Sequence, residues 1–447
     1  TAQSTPLVAE DSLAQQQWVE RQYERMSPEA RIGQLFMIMA SSKAESESTE
    51  GARVADLIAQ YSPGGIIFSR GTPKTQARLT NKFQQATEVP LLIAMDAEWG
   101  LAMRLDSTFA FPWNTTLGGI QDSSLIEAVG YQIGTHARRM GVHLNFAPVV
   151  DINTNPENPI IGNRSFGEDP ARVSRQAIHL MRGMQRAGVL CTAKHFPGHG
   201  DTSVDSHKAL PEVPYDRQRL DSVELAPFRD LIEAGLSTVM VAHLDVPALT
   251  GVPGEPSSLS RRMLQQVLQR ELGFEGLICT DALNMKGVTG YDAAENASLA
   301  AFLAGNDLLL MPEDLERDHQ LLLEAYRSGQ IPEARLARSV KKILMAKYKA
   351  GLSQSRPVEA EGLHEDLNTP GNDLLYEKVM ESAITVLKNR AEIIGIKNLE
   401  NKKIAYVKFG EAPHEPFLER LQQYADVTEV AANDIAGLTR KLQDFNL

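Results

Sequence analysis

Residues 188–207 read GVLCTAKHFPGHGDTSVDSH and fix one element of the fold together with the loop after it. The first six residues form a mostly apolar run that predicts a buried β-strand. Pro197, Gly198 and Gly200 then exclude regular structure, so the chain must leave the strand as a loop. Residues 194–207 hold three His, two Asp and one Lys. Ionisable side chains at a strand end and on its following loop are typical of an active site.

A second strand end of the same kind lies further along the chain. The apolar run 276–279 is followed by Asp281 within the sequence TDALNM at 280–285. Two such ends, far apart in sequence, suggest that both contribute to one catalytic face.

Helical and apolar segments alternate between these points and on either side of them. The apolar segments do not alternate with polar residues, which indicates strands covered on both faces, as in a parallel sheet. About eight strand–helix units over about 300 residues predict an α/β protein with a (β/α)8 TIM-type barrel. The predicted strands lie at 33–39, 64–68, 91–95, 142–147, 189–193, 238–242, 277–279 and 307–311. A doubly wound open sheet is disfavoured, because Gly64 and Gly65 precede their strand instead of following it.

Polar residues follow several of these strands. In a barrel the catalytic groups lie at the C-terminal ends of the strands. The residues that the sequence places at that rim are Asp96, Asp151, Lys194, His195, His243 and Asp281.

The chain is expected to hold more than the barrel. Residues 1–26 are predicted as a flexible leader and an N-terminal helix, 27–350 as the barrel, 351–372 as a linker and 373–447 as the start of a smaller α/β domain. Its predicted elements are helix 373–382, strands 384–387 and 403–409, and helices 415–424 and 433–444. About 75 residues that end just after a helix make an unfinished α/β domain, so we expect a longer natural chain with further C-terminal residues.

Composition limits the class of partner. Hydrophobic residues make up 43% and charged residues 23% of the 447 residues, which are globular values, and the net charge of −12 argues against nucleic acid and against a polybasic membrane contact. No apolar run reaches the roughly 18 to 20 residues of a membrane span. A chain that begins at Thr1 fits a removed signal peptide or a trimmed sequence equally well. Cys191 and Cys279 fall in predicted strands, where two buried free thiols are expected.

Loop 194–207 suggests a metal site or a proton-transfer site. His195 and His199 are four residues apart, but Pro197 and Gly198 prevent the helix that would bring two imidazoles to one zinc ion, so neither a metal nor another cofactor is predicted. His199 is expected to shape the loop. Asp205 can hydrogen-bond the imidazole of His207 and raise its basicity, although an Asp-X-His sequence by itself is a weak signal.

The remaining candidate residues have side chains that could bind a sugar or cleave its glycosidic bond. Asp281 can attack a carbon electrophile if it stays ionised, or it can merely cap the helix that follows. Arg104, Arg164, Lys194 and His195 are donors suited to hydroxyl groups, although Arg164 could instead pair with Glu168 or Asp169. A carboxylate nucleophile, a proton-transfer pair and charged donors together indicate glycoside hydrolysis.

Three segments resemble one family in the same order along about residues 27–350. Residues 194–202 with 205–207 resemble the loop of the N-acetyl-β-glucosaminidase branch of glycoside hydrolase family 3, a bacterial, peptidoglycan-recycling type of enzyme. Residues 280–285 resemble that family's nucleophile segment, and IGNRSFGEDP at 161–170 resembles its arginine loop. The resemblance implies a barrel and a retaining mechanism without metal.

The resemblance also implies roles for individual residues. Asp281 would be the nucleophile, and His207 the acid/base, oriented by Asp205. The sugar-binding positions would be Asp96, Arg104, Arg164, Lys194 and His195. Gly198 and Gly200 are expected to act as hinges of a mobile loop. A bacterial source and a periplasmic, secreted or envelope location are expected.

One departure from the family pattern concerns the pocket edge. Residues 96–100 read DAEWG, where the usual pattern has two glycines after the Glu. Trp99 and Met103 therefore leave the outer edge of the pocket, and the preferred aglycone, open.

The sequence favours an exo-acting β-N-acetylglucosaminidase on peptidoglycan fragments or related amino-sugar oligosaccharides. A family 3 β-glucosidase or β-xylosidase is the first alternative, but those members usually take their acid/base from the second domain and lack the Asp-X-His loop. A GlcNAc phosphorylase stays open, because a neutral imidazole would tolerate phosphate as the second nucleophile. A non-catalytic sugar-binding domain would not need Asp281, Asp205 and His207, and a zinc hydrolase comes last.

Overall fold

The computed structural model describes residues 6–43, 49–204, 209–289, 296–390, 394–411, 413–432 and 435–447. The chain divides into two compact units, Thr1–Ile384 and Thr385–Leu447. In the part of the chain that the structure describes, no helix is long and apolar enough to cross a membrane.

The first unit is built on eight parallel strands. These are β1 (Phe36–Ser42), β2 (Gly65–Gly71), β3 (Leu92–Met95), β4 (Leu144–Asn145), β5 (Leu190–Phe196), β6 (Thr238–Val241), β7 (Leu277–Thr280) and β8 (Leu309–Leu310). The strands are ordered β7-β6-β5-β4-β3-β2-β1-β8. A parallel bridge from Cys279 to Leu308 joins the two ends of this sheet. The predicted (β/α)8 barrel is confirmed.

Helices precede, connect and follow these strands. Before β1 lie Ser12–Arg25 and Pro28–Gly33. The connections hold Thr49–Tyr61, Pro73–Gln85, Asn114–Gly118, Ser123–Arg139, Pro170–Arg186, Arg217–Ser222, Ala226–Glu233, Pro247–Thr250, the π-helix Arg262–Glu271, Lys286–Thr289 and Ala297–Ala304. After β8 come Leu315–Arg327, Glu333–Lys349, Leu363–Leu367 and Pro370–Ala383. Single 3₁₀ turns form at Leu101–Met103, Gly162–Arg164, Ser257–Leu259 and Leu352–Gln354.

Helix Pro170–Arg186 shows how the sequence fixes a typical element. Asp169 caps it by accepting a hydrogen bond from the Arg172 amide at 2.8 Å, and Pro170 occupies the first turn, where no amide donor is needed. Its buried residues include Val173, Ala177, Leu180 and Met184, which recur at helical spacing and face the core. The helix therefore covers β5 with one apolar stripe.

Strand register brings the predicted site residues to one end of the barrel. Phe196 of β5 pairs with Val241 of β6, and Val241 pairs with Thr280 of β7. His195 and Asp281 each lie one residue from these paired positions, so they reach the same rim. This rim is the C-terminal end of the strands, as the sequence predicts.

The residues before and after the barrel differ from the predicted boundaries. Within the predicted leader, Leu7 is buried, and its carbonyl accepts a hydrogen bond from Gln15 Nε2 at 2.8 Å. Lys349 Nζ donates to the Pro6 carbonyl at 2.6 Å. Residues 6–11 are therefore packed within the first unit and are not a free leader.

The predicted linker 351–372 is also packed. Arg139 donates to the carbonyls of Glu359 and Glu361, both at 2.7 Å, and pairs with Asp366 at 2.6 Å. Leu363 and Leu367 are buried. A segment without apolar periodicity can still be ordered when a side chain of the barrel saturates its carbonyls. The helix after it, Pro370–Ala383, belongs to the first unit, so the division falls at 384/385 and not at 372/373.

The second unit is small. Its strands β9 (Ile404–Tyr406) and β10 (Val427–Glu429) pair in parallel. Its helices are Glu415–Gln422 and Ile435–Lys441, with 3₁₀ turns at Leu399–Asn401 and Leu442–Asp444. Residues 384–387, predicted as a strand, have no strand structure, and β10 was not predicted.

Candidate active site

The C-terminal rim encloses a cavity of about 490 Å³, within the roughly 300–1,000 Å³ of small-molecule sites. Six residues predicted from the sequence line it: Asp96, Arg104, Arg164, Lys194, His195 and Asp281. The structure thus brings together side chains from three strand ends, those of β3, β5 and β7, and from two loops. Asp205 and His207 lie outside the described residues.

One side of the cavity is an ionic wall, formed by Asp96, Glu98, Arg104, Arg164 and Lys194. Arg104 Nη2 lies 2.6 Å from Asp96 Oδ2, and Lys194 Nζ lies 2.8 Å from Asp96 Oδ1. Lys194 Nζ also lies 2.9 Å from Glu98 Oε1. Each charge of the wall therefore has a charged partner.

Glu98 is a member of this wall that the sequence analysis did not select. Arg164 donates two hydrogen bonds to Glu98, from Nε to Oε2 at 2.9 Å and from Nη2 to Oε1 at 2.7 Å. The Glu98 side chain is 0% exposed. Arg164 pairs with Glu98, and not with Glu168 or Asp169 as the alternative had it. Glu98 lies two residues after Asp96 at the end of β3, a spacing that puts both on one side of an extended chain and could have revealed it.

The wall stays ionised. Burial raises the pKa of the Asp96 carboxyl, but Lys194 and Arg104 lower it more, so the pKa lies below its usual value. Lys194 and Arg164 have the same effect on Glu98, whose pKa is strongly lowered. Burial lowers the pKa of Lys194, and Asp96 and Glu98 raise it by more. The cations and anions hold each other in the charged form and present fixed donors and acceptors.

Asp151 fixes the loop after β5. Its Oδ2 lies 2.7 Å from His195 Nδ1, and its Oδ1 accepts the amides of His195 at 3.2 Å and His199 at 2.7 Å. Burial raises the pKa of Asp151, but the His195 charge and hydrogen bond lower it more. An ionised Asp151 directs the Nδ1 proton of His195 toward itself and leaves Nε2 facing Arg164 Nη2 at 3.4 Å. The sequence placed Asp151 at the rim without giving it a role.

Asp281 lies across the cavity at the end of β7. Its amide donates to the Val241 carbonyl at 2.8 Å, and its Oδ1 accepts the Ala282 amide at 2.8 Å. Burial raises the pKa of its carboxyl, but the charges of His195 and His243 and the Ala282 amide lower it more. The carboxylate is therefore ionised at neutral pH, as a nucleophile requires.

His243 supports the turn that carries Asp281. Its Nε2 lies 3.0 Å from the Ala282 carbonyl, and its Nδ1 lies 2.7 Å from Ser258 Oγ. Because a carbonyl only accepts, Nε2 carries a proton and donates it to the Ala282 carbonyl, while Nδ1 shares a hydrogen bond with the Ser258 hydroxyl. His243 thus holds the backbone on the C-terminal side of the carboxylate.

The described start of loop 194–207 is tightly packed. A Cβ at Gly200 would lie 1.8 Å from the Ile152 carbonyl oxygen, and one at Gly198 would lie 2.9 Å from Glu224 Cβ. Asn158 Nδ2 donates to the His199 carbonyl at 2.8 Å, and burial lowers the pKa of His199 to about 4. Gly198 and Gly200 allow this close approach of the backbone, and their expected role as hinges stays a prediction. His199 lines the cavity and shapes the loop.

The open question about the pocket edge has a structural answer. Met103 lines the cavity, whereas Trp99 stacks on Trp113 with ring centroids 4.7 Å apart and is not among the lining residues. Trp113 is 44% exposed. The departure at position 99 therefore builds an aromatic pair beside the cavity and does not fill it.

Two further expectations concern the cysteines and a metal ion. Cys191 and Cys279 are buried free thiols, as predicted. Within the described ranges, no group of three or more His, Cys, Asp or Glu is arranged to hold a metal ion.

A barrel whose rim combines an ionised strand-end carboxylate with an opposing wall of charged hydrogen-bonding groups defines the class of glycoside hydrolases. Comparison with known proteins gives the family. The model for the glycosyl hydrolase family 3 N-terminal domain matches residues 28–346. The chain belongs to glycoside hydrolase family 3.

Individual relatives agree with this family. The chain is 32% identical over 421 residues to β-hexosaminidase A of Pseudoalteromonas piscicida. This alignment covers 87% of this chain and 69% of that protein. The solved structure of a family 3 β-N-acetylglucosaminidase from Paenibacillus sp. matches with a TM-score of 0.78 and 33% identity, over 94% of this chain and 83% of that one. A β-glucoside phosphorylase structure matches with a TM-score of 0.82 and 25% identity, over 94% of this chain and 77% of that one.

Proposed function

We propose that this chain is a retaining exo-β-N-acetylglucosaminidase that removes terminal GlcNAc from peptidoglycan-derived or related oligosaccharides. The observation that carries the proposal is the ionised, cavity-lining Asp281 opposite the ionic wall. The likeness to β-hexosaminidase A and to the Paenibacillus enzyme supports the choice of sugar. A periplasmic, secreted or envelope location would fit such a substrate.

The ionic wall would bind the non-reducing sugar. Asp96, Arg104, Arg164 and Lys194 are already held by one another, so they lose little freedom when hydroxyl groups bind. Asp96 can accept hydrogen bonds from sugar hydroxyl groups, while the cations donate hydrogen bonds to them. Glu98 acts through Arg164 and Lys194, which it fixes in position.

Asp281 would carry out the first chemical step. Its carboxylate attacks the anomeric carbon and forms a glycosyl ester, while the bond from that carbon to the leaving oxygen breaks. His207, oriented by Asp205, would give the leaving oxygen its proton. In the second step His207 would take a proton from water, which attacks the anomeric carbon and frees Asp281. The two displacements together retain the configuration.

The test is the release of p-nitrophenol from the β-N-acetylglucosaminide and from the β-glucoside. We expect a clear preference for the N-acetyl sugar. A preference for the glucoside would contradict the proposal and favour a β-glucosidase; a relative from Cellulomonas fimi, 29% identical over 390 residues, is named for both activities. No release from either substrate would leave a sugar-binding role.

A phosphorylase is the second candidate. The match to a β-glucoside phosphorylase favours it, and a neutral imidazole acid/base would not repel a phosphate anion as a carboxylate would. The same assay in phosphate and in phosphate-free buffer separates the two. A rate that rises with phosphate, together with formation of GlcNAc 1-phosphate, would identify a phosphorylase, whereas a rate independent of phosphate identifies a hydrolase.

A further inference from the structure

A second cavity lies at the end of the barrel opposite to the ionic wall, and we call it the basal cavity. Its volume is about 1090 Å³, close to the upper end of the roughly 300–1,000 Å³ of small-molecule sites. His143 lines it and directly precedes β4, whereas the residues of the ionic wall follow the C-terminal ends of the strands. Three parts of the chain supply the walls, namely residues within 8–11, 138–143 and 348–359.

His143 brings a hydrogen-bond donor without a partner to the basal cavity. The residue is 8% exposed, and its Nδ1 accepts a hydrogen bond from the Ile93 amide at 3.1 Å. Burial, together with the charges of Arg138 and Lys347, lowers the pKa of the imidazole to about 3, so the ring is neutral and carries its proton on Nε2. In the part of the chain that the structure describes, Nε2 has no hydrogen-bond partner. Because a buried N–H group needs an acceptor, the acceptor must come from a molecule in the cavity.

Two cations at this cavity are held by backbone carbonyls and not by carboxylates. Arg138 Nη1 donates to the Ala350 carbonyl, and Lys349 Nζ donates to the Pro6 carbonyl, both at 2.6 Å. Neither side chain makes an ion pair with any residue described by the structure. Partial burial lowers the pKa of both groups, and no carboxylate opposes this effect. Both residues also keep exposed surface, so a ligand can reach their charges.

Lys347 adds a third positive charge close to His143. It is fully buried, and its Nζ donates to Gln34 Oε1 at 2.6 Å, which is again a neutral acceptor. Burial lowers its pKa to about 7, so the charged and neutral forms coexist near pH 7. The charges that act on His143 are therefore positive, and they favour an anion beside it.

Carboxylates also line the basal cavity, but they do not neutralise these cations. Asp11 Oδ2 accepts a hydrogen bond from the Tyr348 hydroxyl at 2.6 Å. Glu10 and Glu359 are exposed. Among the described residues, none of the three carboxylates makes an ion pair with a lysine or an arginine. The positive charges at the cavity are thus left for a ligand.

We propose that the basal cavity binds the oxyanion group of a small molecule, either a phosphate or a carboxylate. The planar guanidinium of Arg138 matches the oxygens of both groups, Lys349 adds a second charge, and His143 donates from Nε2. The site is separate from Asp281 and does not depend on the proposed function. The packing of residues 8–11 and 351–359 also gains a role, since these segments form walls of the cavity.

Calorimetric titration of the full chain with inorganic phosphate, and separately with citrate, tests the proposal at pH 7 and constant ionic strength. We expect one saturable site for at least one of the two anions. Arg138→Met removes the guanidinium and keeps an unbranched side chain, so it should weaken this binding by about tenfold or more. Arg138→Lys should keep part of the affinity. The anion that binds more tightly shows whether the site takes a phosphate or a carboxylate.

Arg186→Met is the matched control. Arg186 is also an exposed arginine in the last turn of a helix, but it pairs with Glu127 at 2.6 Å and lies over the Tyr131 ring. Its loss should change the affinity for either anion by less than about twofold, because solvent and salt screen a distant surface charge. An equal loss of affinity in Arg186→Met and Arg138→Met would mean that the anion responds only to net charge, and would overturn the proposal.

Two further results would overturn it. One is the absence of saturable binding of either anion to the wild-type chain. The other is unchanged affinity in Arg138→Met, which would place the anion at the ionic wall or elsewhere. Lys349→Met decides the question in the same way if Arg138→Met fails to fold. The titration requires no turnover, so its result is independent of the sugar that the enzyme prefers.

Discussion

The two sides of the cavity are built on opposite principles. On the ionic wall, Glu98 accepts three contacts of 2.7–2.9 Å from Arg164 and Lys194. On the other side, Asp281 is held through backbone, by Val241 and Ala282, and owes its lowered pKa largely to charges that do not bond it directly. The charged groups of the wall are paired with one another, while the nucleophile keeps lone pairs for the reaction. Binding and bond formation are thereby assigned to different sides.

The largest effect is expected from the nucleophile. Asp281→Ala should lower kcat by about 10⁴-fold or more, because no other described carboxylate is both unpaired and placed at the opposing strand end. Thermal unfolding should show a Tm within a few degrees of the wild-type value, so that the loss of turnover reports on the chemistry and not on folding. Turnover near the wild-type rate would contradict the assignment.

Breaking the wall should instead affect stability and binding together. Glu98→Gln leaves Arg164 and Lys194 facing each other with one anion fewer, so the free energy of unfolding should fall by about 3 kcal/mol, and kcat/KM by about 100-fold. Urea unfolding and steady-state kinetics measure both. Asp281→Asn is the control, because it also neutralises a carboxylate at the cavity. A similar loss of stability in both variants would refute the contrast between the two sides.

A smaller effect is expected at Asp151, which connects the wall to the loop. Asp151→Asn keeps the shape but weakens the hold on His195 and on the His199 amide, and kcat/KM should fall about tenfold on both the p-nitrophenyl glycoside and the disaccharide N,N′-diacetylchitobiose. A loss confined to the disaccharide would mean that Asp151 acts on proton delivery.

The smallest effect is the pH dependence of stability. The pKa values of Asp96, Glu98 and Asp151 are lowered in the folded chain, so their contribution is complete above the unfolded carboxyl values of about 4 and is lost as the pH falls through the lower folded values. The Tm should therefore fall between about pH 4 and pH 2, and less steeply in Glu98→Gln than in the wild type. If the Tm of Glu98→Gln and that of the wild type fall equally steeply with pH, Glu98 does not contribute to the pH dependence of stability.

The barrel and most of its rim could be predicted from the sequence, for a physical reason. Strands buried on both faces are apolar over most of their length, so the end of Leu190–Phe196 stands out at Lys194 and His195, and the end of Leu277–Thr280 at Asp281. Such local signals identified Asp96, Lys194, His195 and Asp281, whereas Arg104 and Arg164 were selected as donors and from the resemblance to the family.

What the sequence missed depends on contacts between distant residues. The spacing of Glu98 from Asp96 is only a weak signal in the sequence, and its role follows from the two hydrogen bonds that Arg164 donates to it at 2.7 and 2.9 Å. The supposed linker was misjudged because its order comes from Arg139, more than 200 residues earlier in the chain. The periodicity of apolar residues shows which face of a helix or strand is buried, but it does not show which distant residues contact that face.

The most direct measurement is the trapping of the covalent intermediate. A 5-fluoro-β-N-acetylglucosaminyl fluoride should form the glycosyl ester faster than water removes it, and mass spectrometry of the digested protein should find the sugar on Asp281. Asp281→Ala should remain unlabelled. Labelling of another residue, or steady turnover without any labelled peptide, would contradict a retaining mechanism that uses Asp281.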